Sequence, residues 1–223
     1  MSSELERPTR PRRPQLIALL VAALVGLSAV AAIGLGARSD DRAVAPSGSG
    51  PYRGSEPPAE FELPPFELKS YRGGRVASEM LAGDVVLLTI LDAQCTDVCP
   101  ILASVVAGTI DRLTETERRQ VRAIGITGDP KEDTPVAVRQ FLSARRAVGR
   151  LDYLLGSEGQ LRPLWTALQI LPSLDSGQDS VHSAPLRIYD RSGVWVATLH
   201  AGADLTEENL LHDIRTALAT DSR

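Results

Sequence analysis

The sequence predicts an α/β fold, with a central mixed sheet flanked by helices, over residues 61–223 of a 223-residue chain. Three observations predict it. Two β-favouring runs, DVVLLTIL at 84–91 and VRAIGIT at 121–127, are nearly continuous in apolar residues, as strands buried on both faces are. Segments with helical spacing stand between and after them. The resulting order, β-α-β-α-β-α-β-β-α, is that of a mostly parallel sheet with an antiparallel edge.

The elements follow in chain order. Residues 1–15 carry Arg7, Arg10, Arg12 and Arg13 and precede an uncharged run of Leu, Ala, Val, Ile and Gly at 16–37, long enough to span a bilayer as a helix. The positive-inside bias then keeps the N-terminus cytoplasmic and sends the rest across, giving a single-pass protein of the cell membrane with an extracytoplasmic domain. A cleaved signal peptide is the alternative, with Ala29-Val30-Ala31 as a small-residue cleavage site, but the run exceeds the ~7–15 residues of a signal core. Residues 38–60 are rich in Gly, Ser, Pro and charge and read as a flexible linker. Residues 61–63 and 66–68 read as short opening strands, with Gly73-Gly74 as a turn. After the strand at 84–91, Leu102, Val105, Val106, Ile110 and Leu113 recur at helical spacing, and Pro100 suits a first helical turn. The strand at 121–127 leads to a proline-opened helix at 135–146, a strand at 151–155 and a short helix at 161–168. Residues 182–190 and 194–199, joined by Asp190-Arg191-Ser192-Gly193, predict a hairpin. An amphipathic helix at 205–218 closes the chain, capped by Asp204 or Thr206.

Composition narrows the function. The formal net charge is −4 and aromatics make up 4% of residues, so the basic, aromatic-interleaved surface of a nucleic-acid binder is absent. The two cysteines, in Cys95-Thr96-Asp97-Val98-Cys99-Pro100, are too few to staple a scaffold, and a bridge across so short a loop restrains the unfolded chain little. Chemistry is the better reason for the pair. They follow a strand's carboxyl end, where open α/β sheets gather ligands, and precede a helix whose N-terminus is expected to lower a thiol pKa. Four-residue spacing lets both sulfurs face one side. The pair is a soft ligand set for Cu(I) or zinc and equally a redox couple that closes a disulfide. Spacing alone leaves these open, together with an inert bridge on the surface of an anchored adaptor.

Zinc would want four ligands, and beyond the cysteines the chain offers only His182, His200 and His212. His212 falls within the last helix and reads as a surface residue. His200 ends a strand and reads as a loop histidine. His182 lies in the polar stretch Asp179-Ser180-Val181-His182-Ser183 just before a strand; on the residues alone, a structural role and a ligand role both stand.

Three segments, in order, carry a family resemblance. Cys95-Thr96-Asp97-Val98-Cys99-Pro100 resembles the C-x-D-V-C-P signature of the Sco/SenC family. Asp129-Pro130-Lys131-Glu132-Asp133-Thr134-Pro135 resembles its D-P-x-x-D-T-P segment, and Val181-His182-Ser183-Ala184, with the turn at 189–193, resembles its H-S strand-and-turn region. The resemblance covers roughly residues 61–218. It implies a thioredoxin-like fold and copper bound by Cys95, Cys99 and His182. It further implies a metallochaperone rather than an enzyme, delivering copper to the dinuclear site of cytochrome c oxidase subunit II or to another extracytoplasmic copper protein. The alternative it implies is an extracytoplasmic thiol-disulfide oxidoreductase, with Cys95 and Cys99 as the redox pair acting on partner cysteines. The chain departs from the family pattern at Leu91-Asp92-Ala93-Gln94, where aromatic and glycine residues are usual, so the approach to the pair is more polar. Asp97, Asp129 and Asp133 are candidates for tuning the thiols or docking a partner; the simpler reading of Asp129 and Asp133 is that they order the loop before the proline-opened helix.

Overall fold

The computed structural model describes residues 50–169 and 185–220; the apolar run at 16–37 and His182 lie outside them. The elements are β1 (Glu67–Ser70), β2 (Arg75–Ala77), a 3₁₀ turn (Ser78–Leu81), β3 (Val85–Leu91), α1 (Val98–Arg112), α2 (Glu115–Arg118), β4 (Val121–Thr127), α3 (Pro135–Ala144), β5 (Asp152–Leu155), α4 (Glu158–Ala167), β6 (Pro185–Tyr189), β7 (Trp195–His200) and α5 (Glu207–Ala219).

β3 is fully buried along its length and organises the rest. Its side chains alternate between two cores, as the period of a strand requires. Val85, Leu87 and Leu91 pack with residues of α1, α3 and α5 on one face, while Val86, Leu88 and Ile90 pack with α4 on the other. The sheet runs β2-β1-β5-β4-β3-β6-β7. β3, β4 and β5 are parallel, with Val85 opposite Val121 and Leu91 opposite Thr127. β1 joins β5, and β6 joins β3, antiparallel. The sheet is therefore mixed, as expected, but it is not mostly parallel with one antiparallel edge: an antiparallel pair flanks the parallel centre on each side. Strands joined by a short turn must run antiparallel, and the chain contains two such pairs, β1–β2 and β6–β7.

The opening strands are also displaced from the expected positions. The segment at 61–63 forms only an isolated bridge, Glu62 with Val194. Pro64 and Pro65 follow it and have no N–H to extend a ladder. β1 then begins at Glu67 and turns through Gly73 and Gly74, both at φ +90°, a region open to glycine without strain.

α3 and α5 start where a threonine hydroxyl satisfies one of their first amides. The Thr134 hydroxyl accepts from the Ala137 amide ahead of Pro135, and Thr206, rather than Asp204, accepts from Asn209 to cap α5. Of the residues at helical spacing, Leu102, Val106 and Ile110 on α1 and Leu113 just after it are buried, while Val105 is only half-buried.

The folded part begins earlier than residue 61. Arg53 and Gly54 donate their backbone amides to the Asp213 carboxylate at 2.7 and 2.9 Å. Ser55 and Thr198 exchange backbone bonds of 2.9 and 2.8 Å. Asp213 lies on α5 with no exposed surface. A Cβ on Gly54 would sit 2.6 Å from the Thr198 carbonyl oxygen, so the chain can approach the sheet edge this closely only with glycine there. The last residues assigned to a linker at 38–60 are thus docked on the domain.

Candidate dithiol site

The cysteine pair lies where the parallel strands end. β3 stops at Leu91, and Asp92 turns the chain: its carboxylate accepts from the Gln94 amide at 2.7 Å and its carbonyl from the Cys95 amide at 3.2 Å. This is the local turn chemistry that aspartate offers, and it gives Asp92, the departure from the family pattern, a defined task. Cys95 emerges partly exposed, and α1 starts three residues later, which sets Cys99 in its first turn, 5% exposed. Both thiols are free. Asp97 stands at the N-cap position but makes no side-chain capping bond.

The helix start was expected to lower the thiol pKa. At Cys99 burial wins: loss of water around the thiolate pushes this thiol up, and the Cys95 thiol beside it adds to the rise, while the Asp92 backbone opposes it. An unliganded Cys99 is therefore a protonated thiol at neutral pH.

Beneath the turn lies a polar cluster. Asp129 behaves as the simpler reading had it, with its carboxylate accepting from the Lys131 and Glu132 amides. Asp133 does not. Its side chain turns inward, 5% exposed, and accepts from the Ala93 amide at 2.9 Å through Oδ1. Its Oδ2 lies 2.6 Å from the Thr127 hydroxyl and 2.6 Å from the Tyr153 hydroxyl. Tyr153 Oη also lies 2.7 Å from the Leu91 carbonyl oxygen. Burial raises the Asp133 carboxyl pKa, against the pull of these hydrogen bonds. Sequence reasoning missed Thr127 and Tyr153. Their one signal was a hydroxyl in a mainly apolar strand, at the end of β4 for Thr127 and inside β5 for Tyr153.

The histidines do not all converge. His200 Nδ1 faces Asp204 at 4.0 Å, and His212 Nδ1 lies 3.0 Å from Asp213; each has its own carboxylate. Among the described residues no three His, Cys, Asp or Glu side chains are grouped to hold a metal; His182 lies outside those residues. A surface groove lined by Arg53, Arg112, His212 and Arg215 offers no competing anion site, because its arginines pair with Glu208, Glu207 and Glu117.

The sequence and the fold match proteins already described. A family model for SCO1/SenC matches residues 55–219. A protein of Stutzerimonas stutzeri named for copper binding is 31% identical over 142 residues, covering 61% of this chain and 68% of that protein. The structure of Bradyrhizobium japonicum ScoI with copper bound superimposes at a TM-score of 0.57 and 25% identity, over 71% of this chain and 100% of that one. BsSco, a member of the Sco family of cytochrome c oxidase assembly proteins with an identified disulfide switch, superimposes at 0.61 and 21% identity, over 73% and 96%. The α/β architecture with its mixed sheet is thus the one the Sco proteins share, and with the cysteine pair at the head of α1 the chain belongs to the SCO1/SenC family.

Proposed function

We propose that the protein is a membrane-anchored copper carrier that binds one copper ion through Cys95, Cys99 and His182 and delivers it to the dinuclear copper site of cytochrome c oxidase subunit II. The observation that carries this reading is the pair of free thiols, one partly exposed and one buried, at the head of α1. Two thiolates and an imidazole are soft and borderline donors suited to copper in either oxidation state. Copper bound to ScoI and the copper-binding name of the Stutzerimonas relative support the same cargo. The uncharged run at 16–37 behind four arginines supports both the anchor and an extracytoplasmic domain.

The site's own chemistry sets the loading step. Cys95 and Cys99 must both be reduced, and each releases a proton as its sulfur binds the metal. The proton on buried Cys99 is held against ionisation until a cation replaces it. Partial exposure of Cys95 gives an incoming metal or thiol a first point of attack.

Titration of the reduced full chain in detergent with Cu(I) tests the reading. One tightly bound copper is expected, lost in Cys95→Ser and in Cys99→Ser and weakened in His182→Ala. An unchanged affinity and spectrum in His182→Ala would remove the histidine from the site. The second reading is thiol-disulfide exchange with partner cysteines, favoured by the same exposed-and-buried thiol pair. It predicts reversible oxidation of the pair in a glutathione buffer, with no requirement for His182.

A further inference from the structure

The cluster under the cysteine turn has more acceptors than its hydrogens can serve if Asp133 is ionised. Tyr153 has one hydroxyl hydrogen, yet its oxygen lies 2.7 Å from the Leu91 carbonyl oxygen and 2.6 Å from Asp133 Oδ2. A carbonyl and an ionised carboxylate can only accept. With Asp133 charged, one of the two contacts would set lone pair against lone pair at hydrogen-bonding distance, or one hydrogen would be split between both at poor angles. A proton on Asp133 Oδ2 resolves the count. The acid then donates to Tyr153, Tyr153 donates to Leu91, Thr127 donates to Oδ2, and the Ala93 amide donates to Oδ1. Each of these atoms is satisfied, as buried polar groups are expected to be.

The connections of this cluster matter more than its burial. Ala93 lies within the turn that Asp92 closes on the Cys95 amide. Thr127 ends β4, Tyr153 lies on β5, and the Leu91 carbonyl ends β3 and also accepts from Gly128 at 2.7 Å. The Asp133 side chain therefore ties the cysteine turn to the end of β4 and to β5 directly, and through Tyr153 to the end of β3, across 40 residues of sequence between Ala93 and Asp133. A neutral acid suits the place. The thiols above must become anionic to hold a cation, and a buried carboxylate below them would oppose that ionisation.

We propose that Asp133 is the positioning residue of the dithiol site, a protonated carboxylic acid that holds the turn from Ala93 to Cys95 against β4 and β5. This rests on the reading of Cys95 and Cys99 as the functional pair. It assigns Asp133 no contact with copper.

The test uses the full chain in detergent, with Asp133→Ala and Asp133→Asn. Asparagine keeps an acceptor for Ala93 and supplies a donor toward Tyr153, as the protonated acid does; alanine supplies neither. In Asp133→Ala, the Cu(I) dissociation constant and the glutathione equilibrium of the Cys95–Cys99 pair are each expected to shift by about tenfold or more, the scale of one lost buried hydrogen bond. Asp133→Asn is expected to recover most of that shift. The infrared spectrum at neutral pH is expected to show a protonated-acid carbonyl band in the wild type that disappears in Asp133→Asn. Absence of that band, equal losses in the two variants, or an unshifted Asp133→Ala would each overturn the proposal. If Asp133→Ala does not fold, the band and the asparagine variant decide. A wild type that binds no copper would defeat the copper reading alone, leaving the glutathione equilibrium and the acid band to judge Asp133.

Discussion

Asp213→Ala is the most informative single change outside the dithiol site. The carboxylate has no exposed surface and accepts the Arg53 and Gly54 amides at 2.7 and 2.9 Å. Hydrogen bonds to a charged group contribute about 1.5–3 kcal/mol each, so both together are worth about 3–6 kcal/mol if the amides stay buried and unpaired. They need not stay so. The segment at 52–55 can leave the surface and rehydrate, held back by the two Ser55–Thr198 backbone bonds, the exposed Arg53–Glu208 ion pair and the packing of Tyr52. The expected loss is therefore near the lower bound, about 3 kcal/mol, or roughly a hundredfold rise in the undocked population. Trypsin cleavage after Arg53 reads that population directly when opening is fast relative to cutting, and a urea midpoint reads whatever part is global. Cleavage at Arg53 within twofold of wild type, with an unmoved midpoint, would refute the reasoning.

Other outcomes follow from the same geometry. Gly54→Ala places a Cβ 2.6 Å from the Thr198 carbonyl oxygen and is expected to raise trypsin cleavage after Arg53 as Asp213→Ala does; protection equal to wild type would show that the sheet edge can yield. An alkylating reagent applied to the reduced protein is expected to modify Cys95 well before Cys99, since Cys99 is buried and its thiol is held protonated; equal labelling by mass spectrometry would contradict the burial argument. The raised Asp133 carboxyl makes the folded state bind an extra proton, with Asp92 and Tyr153 the titratable groups nearest it. Its stabilising contribution is complete below the ordinary aspartate value of 3.8 and is lost as pH rises through the folded-state value. Urea midpoints of wild type relative to Asp133→Asn should accordingly fall with rising pH, and a rising difference would reverse the sign. Leu102→Ala removes a fully buried side chain from the face of α1 that packs with β3 and is expected to cost about 2–5 kcal/mol in chemical denaturation.

The parts legible in the sequence were those set by near neighbours. The apolar runs of β3 and β4 could be little other than strands buried on both faces, and α1, α3 and α5 followed from helical spacing and from Thr or Pro at their starts. The cysteine pair fell at a strand's carboxyl end because two local elements meet there. What escaped depends on partners far along the chain. Asp213 reaches back about 160 residues to amides in a stretch that composition marked as linker. Asp133 looked like a loop-former because its neighbour Asp129 is one, and only the packing of β4 and β5 turns its carboxyl toward Ala93. The helix-start argument for an acidic thiol was sound locally and lost at Cys99 to burial, which no four-residue motif reports. The second antiparallel flank depended on which edge the β1–β2 pair would join, a choice made by β5.

The Asp213 latch also sets a working radius. Under the anchored topology proposed above, the stretch between the end of the apolar run and the docked segment at 52–55 is 38–51, or 14 residues, instead of the 23 of a linker ending at residue 60. At full extension these lengths reach about 50 Å and about 80 Å respectively. In that topology a recipient whose metal site stands farther from the bilayer than the shorter leash and the domain together can span would be served only after Arg53 and Gly54 let go, and the latch would ration the volume over which the thiols could search.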